Sequence, residues 1–375
     1  MNPTLEVVGA PRKESCYPQV GGLAVFGVAI VCLHHWLPPT VTHGVLRGAY
    51  GAELLFGLAG FFTTLLALRA RRALESGRLT RRTALRNAYL QGALRVLPVY
   101  VALLLSILVF GGVNNDAQLS LWTLTYNFHA LLKGELSGTL AHLWAPSIAF
   151  QFFVVWTPCA LFLARRHLIP VAVATVAMGF AARLFLASGG AAPIVLRCAG
   201  VTSLDALGSG ALVLLLAERF GPSVLASKRG IRALLALAVP WVLWGMALQY
   251  DRTGAQRPLW ETLVITTKAP LTFAVLALAA AGLGGATGRI LSSRPWLGVA
   301  RATVAAYLLH AFVPLLLRKA SSGVPLPLEF LLFGALTVGL GLASRAFFEG
   351  RFLRLADRFP LEEPRPGDGE ERRAA

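Results

Sequence analysis

Residues 50–72 read YGAELLFGLAGFFTTLLALRARR, an apolar run that ends in a cluster of arginines. The apolar part, 50–68, holds a single charged side chain, Glu53. A helix needs about 20 apolar residues to cross a bilayer, and arginines directly after such a run mark the cytoplasmic side. This stretch therefore predicts a membrane-spanning helix followed by a cytoplasmic loop.

The same pattern recurs along the chain of 375 residues, of which 56% are hydrophobic and 14% are charged. Soluble domains carry roughly 25% charged residues, so the composition predicts an all-α, polytopic integral membrane protein with about ten transmembrane helices. It excludes a disordered chain and a disulfide scaffold. The predicted spans are 19–38, 50–68, 94–112, 147–164, 168–187, 199–217, 231–249, 262–283, 299–317 and 329–348. We expect one membrane domain over 1–360 and a disordered cytoplasmic tail over 361–375.

The net charge of +17 resembles that of a nucleic-acid-binding protein, but the basic residues lie in short stretches between apolar runs. Such stretches contact the anionic cytoplasmic leaflet. Because every second loop is basic, we expect both termini and the loop 69–86 to be cytoplasmic. Arginine far outnumbers lysine, which is typical of GC-rich bacterial genomes. The predicted location is a bacterial cell membrane, with the lipid bilayer and no nucleic acid as partner. The four cysteines show no paired spacing and predict neither disulfides nor metal ligands.

Ionisable side chains within spans are costly and are therefore functional candidates. His34 and His35 lie about 23 Å along the first span at 1.5 Å per residue. The alternative interpretation is an interfacial belt with the adjacent Trp36. Glu53, near the outer end of the second span, either orients an imidazole or is a solvated interfacial carboxylate.

Later spans contain further polar groups. Asp205 requires a partner, and a structural hydrogen bond to a neighbouring helix is the favoured interpretation. Tyr307 and His310 share one face of the ninth span, with His310 near mid-membrane. Arg183 and Lys268 lie near the outer ends of their spans, and we expect their head groups to extend to the membrane surface.

Seven stretches of the chain together carry a family pattern. They are GLAVFGVAIVCLHH at 22–35, GAELLFGLAGF at 51–61, LRVLPVY at 94–100, WAPSIAFQFFVVWTP at 144–158, SLDALGSGAL at 203–212, GVARATVAAYLLH at 298–310, and Glu349 before a basic stretch. In this order they resemble the acyltransferase-3 family of integral membrane acyltransferases, whose members acylate sugars, glycans and antibiotics. The resemblance covers almost the whole chain.

The resemblance implies an O-acyltransferase that uses acyl-CoA as donor substrate and a hydroxyl of a small molecule or glycoside as acceptor, with no permanently bound cofactor and no metal. His35 would act as general base, and Glu53 would hold its tautomer. The basic groups expected to bind the CoA phosphates are Arg95, Arg69, Arg72 and Arg86. The candidate acceptor-binding residues are Tyr126, Trp144, Asp205 and His310.

The chain also departs from the family pattern. Ala24 replaces the arginine of the first span, and Ala149-Phe150 replace an acidic pair. Three alternatives therefore stay open: a different His-assisted reaction such as cyclisation or dehydration of a biosynthetic intermediate, a transporter or flippase, and an inactive structural partner. The chain shows no extracytoplasmic esterase-like domain, and with the GC-rich bias this favours natural-product tailoring, as in antibiotic biosynthesis.

Overall fold

A computed structural model describes residues 17–37, 50–110, 115–136, 138–225, 227, 230–232, 235–236, 257–317 and 323–361. Within these ranges the chain is helical and contains no strand. The helices are α1 (Pro18–Trp36), α2 (Tyr50–Glu75), α3 (Arg81–Phe110), α4 (Asn115–Trp122), α5 (Tyr126–Lys133), α6 (Trp144–Phe162), α7 (Arg165–Ser188), α8 (Pro193–Cys198), α9 (Leu204–Phe220), α10 (Pro222–Leu225), α11 (Arg257–Ala281), α12 (Gly285–Ser292), α13 (Arg294–Arg301), α14 (Thr303–Leu309), α15 (Val313–Leu317), α16 (Leu326–Ala343) and α17 (Gly350–Ala356). Turns of 3-10 helix, Ala141–Leu143 and Gly200–Ser203, precede α6 and α9, and a π-helical segment, Ser344–Glu349, joins α16 to α17.

Within the described ranges, seven helices are long and apolar enough to cross a membrane, and there are eight if the pair α11 and α12, bent by 82°, forms one span. The predicted all-α fold is thus confirmed, and its membrane-length apolar helices are consistent with a multi-pass membrane protein. Most of the predicted span 231–249 lies outside the described residues. The predicted span 299–317 is not one continuous helix, because this stretch forms parts of α13, α14 and α15, with breaks at Ala302 and at 310–312.

Helix α2 is central and packs against α1, α6 and α9. Its crossing with α9 brings the two backbones together: a Cβ on Gly60 would lie 1.9 Å from the carbonyl oxygen of Leu207, and one on Gly210 would lie 1.8 Å from that of Gly57. Only glycine permits this approach, which is a common way for membrane helices to pack closely. The crossing fixes the relative height of the polar groups on α2 and α9.

The bundle has two chemically different ends. At the arginine-rich end, defined by Arg71, Arg72 and Arg165, Arg71 contacts Glu75 at 2.7 Å, Glu75 also pairs with Arg165, and Arg72 pairs with Glu218. The other end of α2 begins at Tyr50 and packs against α1. With a rise of 1.5 Å per residue, the two ends of this 26-residue helix lie about 38 Å apart, enough to cross the bilayer core of about 30 Å.

Helices α4 and α5 lie beyond the far end of α3, opposite the arginine-rich end. Lys133 of α5 pairs with Asp116 of α4 at 2.6 Å. The hydrogen bond from this ammonium group lowers the pKa of the Asp116 carboxyl below its ordinary value. Because both side chains are exposed, the pair contributes little to stability.

The chain after α17 returns to α3. Asn87 Nδ2 donates to the carbonyl oxygen of Pro360 at 3.1 Å, and Gln91 Nε2 donates to that of Phe359 at 2.8 Å. Leu361 is buried in a small cluster with residues of α2, α3 and α6. Leu361, the first residue of the predicted tail, is therefore packed against the bundle, and residues 362–375 lie outside the described part of the chain.

Candidate active site

Three imidazoles from distant segments meet at the end of the bundle opposite the arginine-rich end. The ring centroids of His35 and His310 are 4.9 Å apart, those of His142 and His310 are 4.9 Å apart, and those of His35 and His142 are 6.4 Å apart. His142 and His310 are buried, whereas His35 is exposed. Of the three rings, His35 is therefore the one most accessible to a ligand.

A cavity of about 50 Å³ lies beside His35. Its lining residues come from α1, α2, the 3-10 turn before α6, the start of α6, α8 and α14. They are Ile30, Val31, His34, His35, Gly51, Ala52, His142, Trp144, Arg197 and Tyr307. No carboxylate is among them. This volume holds only a few water molecules, so binding of a larger ligand requires the surrounding helices to separate.

The break after α14 explains part of the cluster. The last four carbonyl groups of an α-helix lack intrahelical donors, and inside a membrane they need other partners. His310 Nδ1 lies 2.5 Å from the Tyr307 carbonyl oxygen, and His142 Nε2 lies 3.2 Å from that of Leu308. Trp36 Nε1 donates to the His310 carbonyl oxygen at 3.1 Å, so Trp36 also holds the end of α1 against the break after α14.

These contacts determine the tautomer of His310. A carbonyl oxygen only accepts, so Nδ1 of His310 carries the hydrogen and Nε2 holds a lone pair. Nε2 is buried and has no hydrogen-bond partner among the described residues. The cluster thus contains an unused proton acceptor directly beside the His35 ring.

His142 is held more firmly than His310. Its Nδ1 lies 3.0 Å from the Thr139 carbonyl oxygen, and its Nε2 lies 3.2 Å from that of Leu308. A neutral imidazole has one N–H, so one of these contacts is a hydrogen bond in the neutral ring and both are in the imidazolium. In addition, the Tyr307 hydroxyl donates to the His142 carbonyl oxygen at 2.8 Å. His142 therefore fixes the cavity wall to α14. Among the described residues no group of three or more His, Cys, Asp or Glu side chains is arranged to hold a metal ion.

Arg183, Glu53 and Asp205 form a buried ion cluster inside the bundle, next to the cavity. Arg183 of α7 is 2% exposed, and its Nη2 donates to Glu53 Oε1 at 3.0 Å and to Asp205 Oδ1 at 2.8 Å. Its Nε donates to the Thr202 carbonyl oxygen at 2.6 Å. The prediction that Arg183 extends to the membrane surface is wrong, because α2 and α9 supply carboxylates inside the bundle. The side chain of Lys268, predicted to behave in the same way, lies outside the described part of the structure.

The predicted hydrogen bond between Glu53 and His35 is not formed. Glu53 Oε1 accepts from Arg183, and Oε2 has no hydrogen-bond partner among the described residues. Asp205 is fully buried and also accepts from the backbone N–H of Ala206 at 2.7 Å. Asp205 thus forms the expected bond to a neighbouring helix, and it is not among the residues that line the cavity.

The other predicted acceptor-binding residues separate into two groups. Trp144 lines the cavity beside His35. Tyr126 is buried in α5, where it stacks on His129 with centroids 5.7 Å apart, and it does not line the cavity. His310 lies behind His35 and is also absent from the lining. Neither Tyr126 nor His310 is thus among the residues that line the cavity, and their contact with an acceptor stays a prediction.

The predicted donor-binding arginines lie elsewhere. Arg69 and Arg72 are in the last two turns of α2, on the order of 30 Å from the cavity end at 1.5 Å per residue. Arg72 already pairs with Glu218, and Arg86 bonds Asn87 and lies 5.9 Å from the ring centroid of Phe359. Arg95, exposed on α3, is nine residues beyond Arg86, which brings it about 14 Å nearer the cavity end.

Two cavity residues are absent from the sequence predictions. His142 lies two residues before Trp144, directly ahead of a stretch that the family pattern contains. Arg197 lies in the short helix α8 between two long apolar helices. A basic residue in a loop predicted to be extracytoplasmic departs from the usual charge distribution of membrane proteins. That departure was the available signal for Arg197.

No protein-family model, no curated protein and no solved structure matches this chain. The resemblance to the acyltransferase-3 family therefore stays a prediction. It rests on the residues that carry it and on the positions they take in the fold.

Proposed function

We propose that this protein is a membrane-embedded O-acyltransferase in which His35 is the general base. The observation that supports the proposal is that separate stretches of the family pattern meet at one cavity. Three separate stretches of the family pattern, 22–35, 144–158 and 298–310, contribute His35, Trp144 and Tyr307 to one cavity. Apolar composition alone gives no reason for these residues to meet.

In the proposed reaction, the neutral imidazole of His35 takes the proton of the acceptor hydroxyl as its oxygen attacks the thioester carbonyl of acyl-CoA. A C–O bond forms, the C–S bond breaks, and the sulfur of CoA takes up a proton as it leaves. An imidazole suits this step because its ordinary pKa is near 6.5. Such base catalysis contributes about 10²–10⁴ to the rate.

His310 takes the orienting role that was first expected of Glu53. Its Nε2 lone pair is buried and without a hydrogen-bond partner among the described residues, and its ring is the nearer of the two buried imidazoles to His35. A lone pair in this position can accept the N–H of His35 and so leave the other ring nitrogen free to act as base.

The donor would approach from the arginine-rich end. Arg69, Arg86 and Arg95 provide the basic groups for the CoA phosphates, and Arg95 is the deepest of them. Guanidinium groups suit this role because they bind phosphate with two parallel hydrogen bonds. The pantetheine arm would then pass between helices towards His35.

A second candidate is a different His-assisted reaction on a single substrate, such as a cyclisation or dehydration. The observation that favours it is the distance of about 30 Å between the arginines and the cavity, together with the pairing of Arg72 with Glu218. A single substrate that reaches the cavity directly requires no donor path across the bundle.

We also propose ten spans in a bacterial cell membrane, with both termini cytoplasmic and with the lipid bilayer, acyl-CoA and the acceptor as partners. The concentration of arginines at one end of the bundle supports this orientation. The acceptor is a small molecule or glycoside, and tailoring of a natural product is the expected process.

The test uses the full chain in lipid nanodiscs with acetyl-CoA, longer acyl-CoA thioesters and a small-molecule extract of the producing cells. Thiol release and mass spectrometry of the products are measured for the wild type and for His35→Ala. We expect acylated products and released CoA only with the wild type. Products that form without any acyl-CoA and lose water or keep their mass would instead support the second candidate.

A further inference from the structure

The cavity beside His35 has an unbalanced charge. Among the described residues that line it, Arg197 is the only one with a permanent charge, and none is a carboxylate. Arg197 is exposed, and no carboxylate of the described chain forms an ion pair with it. A guanidinium beside an accessible cavity without a counter-charge favours an anionic ligand.

The location of Arg197 does not follow from membrane orientation. Helix α8 follows the end of α7 that is remote from Arg165, so Arg197 lies at the end of the bundle opposite the arginine-rich end. The distribution of basic residues that orients a membrane protein places them at the cytoplasmic end instead. Arg197 therefore needs another explanation.

The backbone on both sides of Arg197 is held by buried polar side chains. The Thr202 hydroxyl shares its one hydrogen between the carbonyl oxygens of Ala199, at 2.6 Å, and Leu196, at 3.0 Å, and Asn127 Nδ2 donates to that of Cys198 at 3.3 Å. Asn127 is itself fixed, because its Oδ1 accepts from Gln151 Nε2 at 2.8 Å. The anchoring positions the base of the Arg197 side chain and leaves its head group at the cavity.

The buried ion cluster supports the same segment from below. Arg183, which pairs with Glu53 and Asp205, donates from Nε to the carbonyl oxygen of Thr202 at 2.6 Å. Thr202 in turn bonds Leu196. A chain of hydrogen bonds thus connects α2, whose Gly51 and Ala52 line the cavity, to the residue that precedes Arg197. The ion cluster of Arg183, Glu53 and Asp205 thus holds both α2 and the segment that carries Arg197, which form two walls of the cavity.

We propose that Arg197 binds an oxyanion, a carboxylate or a phosphate, in this cavity, and that the acceptor of the reaction carries this group. The guanidinium plane matches both anions with two parallel N–H donors. The anion fixes the acceptor at the cavity so that its hydroxyl lies near His35. The assignment to the acceptor rests on the proposed function, but the binding of the anion does not.

The same chemistry has two sources, a soluble anionic compound and the phosphate of a lipid head group. Two arms of one experiment distinguish them. In the first, the wild type in phosphatidylcholine nanodiscs is heated in inorganic phosphate and in sodium chloride of equal ionic strength. In the second, the nanodiscs contain phosphatidylglycerol in place of part of the phosphatidylcholine, without phosphate in the buffer.

Three variants accompany the wild type. Arg197→Gln removes the charge, and Arg197→Lys keeps the charge but loses the two-pronged geometry. Arg289→Gln is the matched control, because Arg289 is also exposed in a short helix and forms no ion pair within the described chain. Since Arg197 is exposed, its variants are expected to fold, and their melting temperatures without anion verify this.

A ligand that binds only the folded state raises the melting temperature. We expect a rise of about 2 °C or more in the wild type and in Arg289→Gln, a smaller rise in Arg197→Lys and none in Arg197→Gln. Such a pattern with inorganic phosphate indicates a soluble anion, and the same pattern with phosphatidylglycerol alone indicates a lipid head group. Equal shifts in the wild type and Arg197→Gln, or no shift in either arm, overturn the proposal. Because the readout is binding, Arg197-dependent stabilisation in a protein that never acylates would refute the acyltransferase and leave the anion site.

Discussion

The imidazole rings of His35 and His310 meet edge to face, with their centroids 4.9 Å apart. His35 lies in the last turn of α1 and is exposed, whereas His310 follows α14 and is fully buried. The accessible ring is thus backed by one whose Nε2 lone pair has no hydrogen-bond partner within the described chain. This pairing takes the place of the expected contact between His35 and Glu53. Substitution of His310 should therefore affect the proposed base.

Replacing His310 with phenylalanine keeps an aromatic ring but removes the lone pair. We expect kcat to fall by about tenfold or more with KM for acyl-CoA unchanged, because the base loses its orientation rather than its substrate. The rising limb of the pH–rate profile, which reports the base, should also move.

The matched control is His129→Phe, since His129 stacks on Tyr126 away from the three-imidazole cluster. It should leave both kcat and the pH profile unaltered. Loss of protein without any change in the pH profile of the remaining activity would mean that His310 is only a packing residue.

The orientation of the bundle is testable with reporter fusions at two glycines in exposed turns. Gly77 ends the turn after α2 at the arginine-rich end, and Gly134 caps α5 at the other end. Because basic residues remain cytoplasmic, a reporter active only in the cytoplasm should function at Gly77 and fail at Gly134. If the reporter were active at both positions, or inactive at both, the two turns would lie on the same side of the membrane, which would contradict the predicted topology.

The buried ion cluster makes a strong prediction about stability. Arg183→Met leaves Glu53 and Asp205 buried without their counter-charge, and breaking a buried pair in this way costs about 3–5 kcal/mol of unfolding free energy. Thermal unfolding in nanodiscs measures the loss, with Arg289→Met as the control for removing an exposed arginine.

The double variant Glu53→Gln with Arg183→Met should recover part of the lost stability, since one of the two buried charges is then absent. If the double variant were less stable than Arg183→Met alone, Glu53 would be stabilised by a group other than Arg183.

If acyl-CoA enters from the arginine-rich end, a substitution on that route should impair use of the donor and not of the acceptor. Arg95→Ala should raise KM for acyl-CoA by about tenfold, since one charge-assisted hydrogen bond to phosphate is worth roughly 1.5–3 kcal/mol, and leave KM for the acceptor unchanged. Steady-state kinetics with each substrate varied in turn measure this. Equal changes in both KM values, or no change, would count against Arg95 as part of a donor site.

Local sequence patterns were sufficient for most of the long helices. The run 50–68 and its arginines predicted α2, which begins at Tyr50 and continues to Glu75. The interruption of 299–317 has a local cause that the apolar pattern does not register. Pro314 has no N–H to donate to the carbonyl oxygen of His310, four residues earlier, and that oxygen accepts from Trp36 Nε1 instead.

The site was predictable only in part, because its residues come from segments that are distant in the sequence. His35 and Trp144 stood out through their family stretches, and both line the cavity. The partners of Arg183 come from α2 and α9, so a search along α7 alone could not find them. The unusual position of the Arg197 charge was visible in the sequence, but its meaning required the fold, which places it in a cavity whose described lining contains no carboxylate.

The most direct test of the account compares His35→Ala with His34→Ala. Both side chains line the cavity, but only His35 is in ring contact with His310. Acylated product is quantified by mass spectrometry at matched protein levels in nanodiscs. We expect no product from His35→Ala, with normal accumulation of the protein, and most of the wild-type product from His34→Ala. Loss of product in His34→Ala alone, or full activity of both variants, would contradict the assignment of His35 as the base.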